Sequence, residues 1–395
     1  MGRLNVISGL DGSKTPFLRG VLTRSLQNCG LSFDDAFAIA SKVRNEVSNL
    51  KEIPAADLKR RVLHYLDPFS EEIRRRYESP RHRTGLILVR SPDGHTSPLS
   101  RGGLRLKLEC CGLNADKAVV VAAAMHDDLL ARGLTEISEE DLRTRTHARL
   151  RQELGDKGAS VYLSYEAFRA SGVPLVLLVG GAPGTGKSTV SSQIAHMFEV
   201  SRTQPTDLLR EVMRVMIPER LVPVLHRSSF RAGEAMPGAE DLRNGDAALV
   251  GGFLAQSDLV TVACEAALKR ALDERLSIIL EGVHIHPRAL PKVPDPEAIV
   301  VHLMLAVIQQ KTLRARIRGR GKDAPDRRAA RFLDHFDAVW GLQSWLLAEA
   351  EKAGIPVVEN SDREHTIQEI AATIMRAIVK RFPLKTGKPS PDRPQ

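Results

Sequence analysis

The chain has 395 residues, of which 43% are hydrophobic and 27% charged, a composition typical of a soluble protein with two or three domains. Its net charge of +9 at pH 7 favours anionic partners, either nucleic acid or small phosphorylated molecules. Aromatic residues make up only 4% of the chain, which argues against recognition of single-stranded nucleic acid by base stacking.

The cysteines and the N-terminus indicate the compartment. Cys29, Cys110, Cys111 and Cys264 form no C-x-x-C pair, so buried thiols in a reducing environment are expected rather than disulfides or a metal site. The N-terminus lacks the apolar core of a signal peptide, and no run approaches the ~20 apolar residues of a membrane span. The sequence therefore predicts a cytoplasmic protein with no membrane partner.

The first 150 residues contain a duplication with constant spacing, which rarely arises by chance. The copies cover residues 1–80 and 87–155. Each is predicted to form a short strand, a D-G turn and three helices, the last of which begins with a capping signal. The matching positions are Asp11-Gly12, Pro16, Arg19-Gly20 and Cys29-Gly30-Leu31 in the first copy and Asp93-Gly94, Pro98, Arg101-Gly102 and Cys111-Gly112-Leu113 in the second.

Each copy resembles the ATP-cone domain, a small, mostly helical regulatory module that binds nucleotides. The D-G turn and the following Pro16-Phe17 or Pro98-Leu99 match its outline. The basic residue expected just before the turn is replaced by Gly9-Leu10 and by Ser91-Pro92. Docking or dimerisation therefore stays an alternative to nucleotide sensing, and a homo-oligomer formed through these domains is one expected consequence.

Polar segments separate the predicted domains. Residues 68–86 read as the end of a helix and a linker between the two copies, and the charge-rich helix at 151–172 is predicted to be a solvated spacer. The second half, residues 173–382, is predicted to be one domain. The basic, proline-rich tail at 384–395 is expected to be disordered.

Residues 174–189, PLVLLVGGAPGTGKST, carry the strongest motif of the chain. An apolar run typical of a buried parallel strand leads into G-x-x-x-x-G-K-[ST], and an amphipathic helix follows. In this order the pattern predicts a P-loop, whose backbone N–H groups and lysine hold nucleotide phosphates while the serine hydroxyl ligates Mg²⁺. The predicted nucleotide-binding residues are Gly181, Ala182, Pro183, Gly184, Thr185, Gly186, Lys187, Ser188 and Thr189.

The rest of the second half alternates between strand-like and helix-like stretches. Besides 173–179, strands are predicted at 277–280, 298–305 and 355–358, with another before Asp207. Phe332, Phe336, Val339 and Trp340 are placed on one helical face. This alternation predicts an α/β fold with a parallel sheet flanked by helices, and ligands are expected beyond the C-terminal strand ends.

Charged residues follow two of these strands. Glu281 could orient Mg²⁺-bound water or accept a proton, and Asp207 could cap a helix or hold a substrate hydroxyl. Arg210 and Arg214 lie on one helical face, where paired guanidinium groups suit a phosphate or a carboxylate, although a solvated face is the alternative. The donors of His226, Ser228 and Ser229 form a candidate substrate loop.

Residues 313–322, LRARIRGRGK, combine arginines with two glycines. The pattern resembles the mobile lid of small P-loop kinases, which closes arginines over the transferred phosphoryl group. Much of the positive excess lies here, which favours a small phosphorylated substrate over nucleic acid. Arg316, Arg318 and Arg320 are the predicted lid arginines.

The stretches TDLLREVMR, PVLHRSSF, IILEGVHIHP and GIPVVEN resemble the archaeal-type 2-phosphoglycerate kinases from about residue 87 to residue 360. Those enzymes join an ATP-cone to a P-loop kinase domain and transfer the γ-phosphoryl group of ATP to 2-phosphoglycerate. This chain differs in its extra N-terminal copy, and it has Lys311-Thr-Leu-Arg314-Ala where a His-x-x-Arg-Phe pattern is expected.

The resemblance implies a Mg²⁺- and ATP-dependent kinase of a small phosphorylated acid. Lys187, Asp207, Glu281, Arg318 and Arg320 would be catalytic, with either Asp207 or Glu281 as the base. Ser188 and Glu281 would hold Mg²⁺, and the acceptor would be bound by Asp207, Arg210, Arg214, His226, Ser228, Ser229 and His284. The alternatives are another anionic acceptor, such as an inositol phosphate, a nucleotide or an RNA end, and a non-catalytic ATP-sensing regulator.

Overall fold

The computed structural model describes residues 4–7, 14–78, 86–236, 245–288, 298–319 and 327–383. The chain divides into two compact units, one of Met1–Arg101 with Ala122–Arg143 and one of Gly102–Val121 with Thr144–Gln395. The boundary passes through the second sequence repeat. Part of that repeat therefore packs with the second half of the chain.

The first repeat is built on a small three-stranded sheet, in which β1 pairs antiparallel with β2 and parallel with β3. Its helices bury Leu26, Val43 and Leu66 in a core of their own. Ser32 begins the second helix, where its Oγ accepts a hydrogen bond from the Asp35 N–H at 3.1 Å. The elements are β1 (Asn5–Ile7), β2 (Lys14–Pro16), α1 (Arg19–Asn28), α2 (Phe33–Glu46), β3 (Glu52–Pro54), α3 (Ala55–Leu66) and α4 (Glu71–Glu78).

The second repeat has the same strand order and the same pairing directions as the first. Its D-G turn places Gly94 at φ +86°, whereas Asp11-Gly12 lies outside the described residues. In each copy, the second and third strands are three residues long and show too little alternation to be recognised in the sequence. The elements are β4 (Leu88–Arg90), β5 (Thr96–Pro98), α5 (Arg101–Cys110), α6 (Ala115–Ala131), β6 (Glu136–Ser138) and α7 (Glu139–Ser171).

Helix α7 corrects the prediction of a solvated spacer at residues 151–172. The helix is interrupted at Gly155, whose φ of 73° is left-handed, and its second half then runs into the core of the second unit. Tyr165 and Phe168 are almost fully buried there, and the Tyr165 ring packs edge-on against Phe198 at 6.2 Å. Charged residues on the outer face masked this buried stripe in the sequence. The four cysteines are buried, as predicted.

The second unit is organised around five described strands that are all parallel, in the order β11-β10-β7-β9-β8. This arrangement confirms the predicted α/β fold, and the strands begin and end within about two residues of the predicted positions. Strand β7 is buried along its whole length because it lies at the centre of the sheet. The strands are β7 (Leu175–Gly180), β8 (Arg202–Pro205), β9 (Ile278–Glu281), β10 (Ile299–Ala306) and β11 (Val357–Glu359).

Helices cover both faces of this sheet. Ile194 and Ile374, from two different helices, pack on one face, and Val260 and Leu268 pack on the other. The single helix predicted around Phe332–Trp340 is wrong, because the chain breaks at His335 and forms two helices. The helices are α8 (Lys187–Met197), α9 (Thr206–Met216), α10 (Gly245–Asp273), α11 (Gln310–Gly319), α12 (Arg327–Asp334), α13 (Phe336–Lys352) and α14 (Arg363–Arg381), together with the 3₁₀ helices Pro223–His226 and Ser229–Ala235.

Helix α10 is apolar and long. Among the described residues its segment Ala247–Asp273 is the one stretch with the length and composition to cross a membrane. The sequence prediction that no run approaches this length overlooked it. One face of the helix packs on the sheet through Val260, Cys264 and Leu268, so it forms part of the core of this unit.

Candidate active site

The glycine-rich loop joins the end of β7 to the start of α8. Gly184 and Gly186 have φ values of +89° and +93°, which side chains with a Cβ rarely adopt. A Cβ on Gly181 would lie 2.3 Å from the carbonyl oxygen of Leu305, and one on Gly186 would lie 2.5 Å from Asn360 Nδ2. The loop thus needs glycine for both its conformation and its packing. Strand, loop and helix follow in the predicted order.

The ammonium group of Lys187 lies over this loop. Its Nζ donates to the carbonyl oxygen of Ala182 at 2.9 Å, and the residue is only 8% exposed. Asn360, at the end of β11, supports the loop from below, because its Nδ2 donates to the carbonyl oxygen of Thr185 at 2.8 Å. A buried cation beside a helix N-terminus and glycine N–H groups forms a cradle that suits phosphate oxygens.

A hydroxyl and a carboxylate meet beside the loop. Ser188 Oγ donates to Glu281 Oε1 at 2.7 Å, and Glu281 is 3% exposed at the end of β9. Two hard oxygen donors in contact fit Mg²⁺, which also keeps water and phosphate ligands. Within the described ranges, no group of three or more His, Cys, Asp or Glu side chains gathers around a metal site. A cation held by these two oxygens could complete its coordination with water and phosphate oxygens, as Mg²⁺ usually does.

Helix α9 presents Asp207, Arg210 and Arg214. Arg210 donates from Nη1 to the carbonyl oxygen of Arg227, and its Nε lies 3.9 Å from Asp207 Oδ1. Burial lowers the pKa of Arg210, because it removes water from the guanidinium group. The Nε atoms of Arg210 and Arg214 are buried without a hydrogen-bond acceptor among the described residues. Glu211 accepts from Arg214 Nη1 at 2.7 Å and from Arg210 Nη2 at 3.3 Å, which leaves the two Nε donors open to a further anion.

A third arginine reaches the same region from α12. Arg331 donates from Nη2 to Ser228 Oγ, and its positive charge contributes to the lowered pKa of Arg210. The sequence prediction included Ser228 but missed Arg331. An Arg-Phe dipeptide was expected near residue 314, and Arg331-Phe332 provides one farther along the chain. Helix α12 thus completes a cluster of guanidinium groups.

His284 connects the phosphate loop with this cluster. Burial lowers its pKa to about 3, and the charges of Asp207, Arg210 and Lys187 also act on its ring. The end of β9 lies between the two groups, since Glu281 accepts from Ser188 beside Lys187 and His284 contacts the residue that precedes Asp207. Both ring nitrogens of His284 have protein partners, Thr206 Oγ1 at 3.0 Å and Gln256 Oε1 at 3.1 Å, which leaves neither for a substrate.

The other predicted substrate residues lie beside this centre. His226 Nε2 bonds to the carbonyl oxygen of Ile217 at 2.8 Å, so that nitrogen holds the preceding loop. Ser229 is buried at the start of a 3₁₀ helix. Their contact with a substrate stays a prediction.

The predicted lid begins as the regular helix α11. Arg314 packs against α13, where its guanidinium group stacks on the Phe336 ring with 4.2 Å between Cζ and the ring centroid. Arg316 donates to the carbonyl oxygen of Ser361 at 3.4 Å, close to the phosphate loop, and burial lowers its pKa. Arg318 is exposed in the last turn, and Arg320 lies outside the described residues.

Four residues of the site were not predicted from the sequence: Thr206, Gln256, Arg331 and Asn360. Gln256 left a signal, since a lone amide inside the apolar run GGFLAQSDLV is unusual unless it has buried partners. Asn360 stands directly after a strand, where ligand-binding residues collect. Thr206 is fully buried, but the sequence prediction assigned the functional role to the charged residue beside it, Asp207.

Comparison with known proteins connects this site to an enzyme family. No protein-family model matches the chain. The 2-phosphoglycerate kinase of Pyrococcus horikoshii is 30% identical over 293 residues, which are 74% of this chain and 95% of that protein. The 2-phosphoglycerate kinase of Methanopyrus kandleri is 32% identical over 286 residues, covering 72% and 85% of the two chains. The 2-phosphoglycerate kinase of Methanocaldococcus jannaschii is 30% identical over 283 residues, covering 72% and 89%. With a kinase-like parallel sheet, a phosphate cradle and relatives that match along most of their length, the chain belongs to the 2-phosphoglycerate kinase family.

Proposed function

We propose that the protein transfers the γ-phosphoryl group of ATP to the hydroxyl of 2-phosphoglycerate, giving 2,3-bisphosphoglycerate. The observation that carries this proposal is the set of contacts at the end of β9. Glu281 accepts from Ser188, which follows Lys187, and His284 bonds to Thr206, which precedes Asp207. This arrangement brings a phosphate cradle and an anion cluster together. The family names support a kinase with ATP as co-substrate, and the acceptor is the finer part of the proposal.

The loop from Gly181 to Thr189 would hold the nucleotide. Its backbone N–H groups and Lys187 would bind the β- and γ-phosphates, and Arg316 stands close enough to the loop to contribute charge. Ser188 and Glu281 would hold Mg²⁺, which neutralises charge on the phosphates when bound. The contact between Ser188 and Glu281 keeps both oxygens at this position.

The arginine cluster would bind the acceptor. 2-Phosphoglycerate carries a phosphate and a carboxylate, and planar guanidinium groups bind either anion through two oxygens. Arg210, Arg214 and Arg331 provide three such groups, with the hydroxyl of Ser228 beside them. The unsatisfied Nε atoms of Arg210 and Arg214 would gain acceptors when the substrate binds.

Asp207 is the preferred base for the acceptor hydroxyl. Glu281 is buried and accepts the hydroxyl of Ser188, whereas the Asp207 side chain is 72% exposed at the start of α9. Phosphoryl transfer depends mainly on positioning and on charge stabilisation, so a weakly basic carboxylate is adequate. Arg318 and Arg320 would stabilise charge on the transferred group if the chain beyond α11 closes over it.

The N-terminal repeats would serve as ATP-cone-like modules that sense nucleotide or dock copies of the chain into a homo-oligomer. We further infer a cytoplasmic enzyme, since its substrates are metabolites of the cell interior. The proposed domains are two repeats at 1–80 and 87–155 and a kinase domain at 173–382. Helix α5 and the second half of α7 extend the kinase core beyond that last range.

The test is an acceptor panel. The purified protein is incubated with ATP, Mg²⁺ and phosphorylated three-carbon acids, inositol phosphates, nucleotides and RNA ends. ATP consumption that depends on 2-phosphoglycerate is expected, and Lys187→Ala should abolish it. If the enzyme turned over only another acceptor of the panel, that acceptor would be the substrate instead of 2-phosphoglycerate. Nucleotide-dependent oligomerisation without any product would instead indicate a regulator.

A further inference from the structure

A chain of buried hydrogen bonds lies behind the acceptor side of the site. His284 is at its centre. The ring nitrogen Nδ1 lies 3.0 Å from Thr206 Oγ1, and Nε2 lies 3.1 Å from Gln256 Oε1. Thr206 and Gln256 are fully buried, and His284 is 1% exposed. A buried polar chain of this kind persists only when every member has a partner. The three residues are called the Thr206–His284–Gln256 relay.

The amide of Gln256 fixes the direction of every bond in the relay. Its Nε2 donates to the carbonyl oxygens of Val224 at 2.7 Å and Arg227 at 2.9 Å, which uses both of its N–H groups. Its Oε1 therefore faces His284 and can only accept, so His284 Nε2 carries the proton. The neutral ring then accepts at Nδ1, and the Thr206 hydroxyl donates to it. Burial lowers the pKa of His284 to about 3, so the ring stays neutral.

The relay joins the segments that carry the acceptor residues. Thr206 immediately precedes Asp207 in the first turn of α9. At the other end, Gln256 donates a hydrogen bond to the carbonyl oxygen of Arg227. The same oxygen accepts a hydrogen bond from the guanidinium group of Arg210. The hydroxyl oxygen of the next residue, Ser228, accepts a hydrogen bond from Arg331 Nη2. One chain of bonds thus fixes the start of α9 and the loop opposite it.

The residue that follows β9, Gly282, packs so closely against the start of α9 that no side chain fits between them. A Cβ on Gly282, between Glu281 and the segment with His284, would lie 1.8 Å from Thr206 Oγ1. The glycine allows the end of β9, which carries Glu281, to touch the start of α9. The position of the carboxylate at the metal site is therefore tied to the position of Asp207.

We infer that the Thr206–His284–Gln256 relay positions Asp207 and Arg210 for the acceptor, and that its members act without touching the substrate. The inference rests on the proposed function, because it assigns the acceptor to this side of the site. It predicts that weakening the relay affects the use of the acceptor much more than the binding of ATP, whose cradle is held by Asn360 and Lys187.

A pair of variants at Thr206 tests the kinetic consequence. Thr206→Val keeps the shape of the side chain but loses the donor to His284, whereas Thr206→Ser keeps the hydroxyl. We expect Thr206→Val to lower kcat/KM for 2-phosphoglycerate roughly 10- to 100-fold while KM for ATP changes less than about twofold, and Thr206→Ser to retain most of the activity. Equal losses for both substrates, or an equal loss in Thr206→Ser, would overturn the inference.

The tautomer is tested without substrate. Long-range ¹H–¹⁵N spectra of the full-length protein with labelled histidine should show His284 protonated at Nε2 and unprotonated at Nδ1, with no titration from about pH 8 down to about pH 5.5. The titratable groups whose charge acts on the ring are Asp207, Arg210, Lys187 and, when protonated, His286. A proton on Nδ1, or titration in this range, would contradict the relay. This result does not depend on the acceptor, so it separates failure of the relay from failure of the proposed reaction.

Discussion

At the scale of single residues, the site is recognised by two buried arginine Nε donors that have no acceptor in the described part of the protein. Arg210 is 13% exposed on its side chain, and neither its Nε nor that of Arg214 has an acceptor among the described residues. Neighbouring positive charges repel each other, and burial increases the cost of each. Glu211 bonds to both Arg210 and Arg214 and compensates part of this repulsion, and an anionic ligand would compensate more of it.

Arg331 should contribute strongly to the use of the acceptor. Replacing it by alanine removes a charge that lies beside Arg210 and Ser228. We expect Arg331→Ala to lower kcat/KM for 2-phosphoglycerate roughly 10- to 100-fold, because charge-assisted hydrogen bonds contribute about 1.5–3 kcal/mol, and to change KM for ATP little. Steady-state kinetics with each substrate varied in turn measure both values.

Arg270→Ala is the matched control for this prediction. Its guanidinium group bonds to Glu274 on the exposed side of α10, with a side chain that is 73% exposed. The control should keep wild-type kinetics. An unchanged acceptor KM and kcat in Arg331→Ala would show that the third arginine is structural.

The sequence made some of these residues predictable and hid others for a physical reason. Lys187, Ser188, Asp207 and Glu281 follow strands or lie within a spaced motif, so their place at one sheet edge could be predicted. Arg331 comes from a separate helix, and only tertiary packing brings it to Ser228. A side chain on a distant helix leaves no local pattern that distinguishes it from a solvated arginine.

At the scale of elements, the end of β11 supports the phosphate loop through Asn360. Its Nδ2 donates to Thr185, and its Oδ1 accepts from Thr366 Oγ1 at 3.2 Å. The backbone N–H of Asn360 also donates to Ala306 at the end of β10. Two strand ends and the start of α14 thus fix one loop. The sequence predicted each of these strands but could not show that they share this residue.

Asn360→Asp should weaken ATP binding. The aspartate is almost the same size but cannot donate to the carbonyl oxygen of Thr185, which would face a carboxylate instead. Because losing a buried hydrogen-bond partner costs about 1–3 kcal/mol, we expect KM for ATP to rise roughly 5- to 100-fold while KM for the acceptor changes little. Isothermal titration with a non-hydrolysable ATP analogue gives the affinity directly.

Glu359→Gln, one residue earlier and exposed, is the control for Asn360→Asp and should bind the analogue like the wild type. If Asn360→Asp also binds normally, the loop holds its shape without this support. If the variant unfolds at room temperature, Asn360→Ser, which keeps a donor, should recover part of the affinity.

At the scale of the whole molecule, buried neutral histidines make stability depend on pH. Burial lowers the pKa of His284 to about 3 and those of His286 and His302 to about 4. In the unfolded chain, histidine protonates near pH ~6.5. Between that value and pH ~4, the unfolded chain binds more protons than the folded chain. The free energy of unfolding should therefore fall as the pH falls through this window.

Urea unfolding at several pH values measures this dependence, and His302→Leu isolates one contribution. Both ring nitrogens of His302 are buried without a hydrogen-bond partner in the described part of the chain, so leucine removes the titration without breaking a protein bond. The slope of the free energy of unfolding against pH should decrease in His302→Leu. His365→Leu, at an exposed position of α14, should keep the wild-type slope. Equal slopes in wild type and His302→Leu would contradict the prediction.

The boundary of the kinase core is the property of the whole chain that the sequence located least well. A domain beginning at residue 173 would omit Tyr165, Phe168 and Cys110, which pack in one cluster with β7 and α14. Removing a buried aromatic side chain typically costs about 3–5 kcal/mol, and whole domains are stable by only about 5–15 kcal/mol. A chain of residues 173–395 should therefore be unfolded or aggregated.

A chain of residues 86–395 should behave differently. It keeps α5 and α7, and it loses only the first repeat, whose hydrophobic cluster of Leu26, Val43 and Val62 contains described residues of that repeat alone. We expect a cooperative thermal transition and wild-type kcat for this shorter chain, measured by circular dichroism and by the acceptor assay. A folded and active 173–395 fragment would show that the aromatic residues of α7 are dispensable. Loss of activity in 86–395 with folding intact would assign the first repeat a direct role in the reaction.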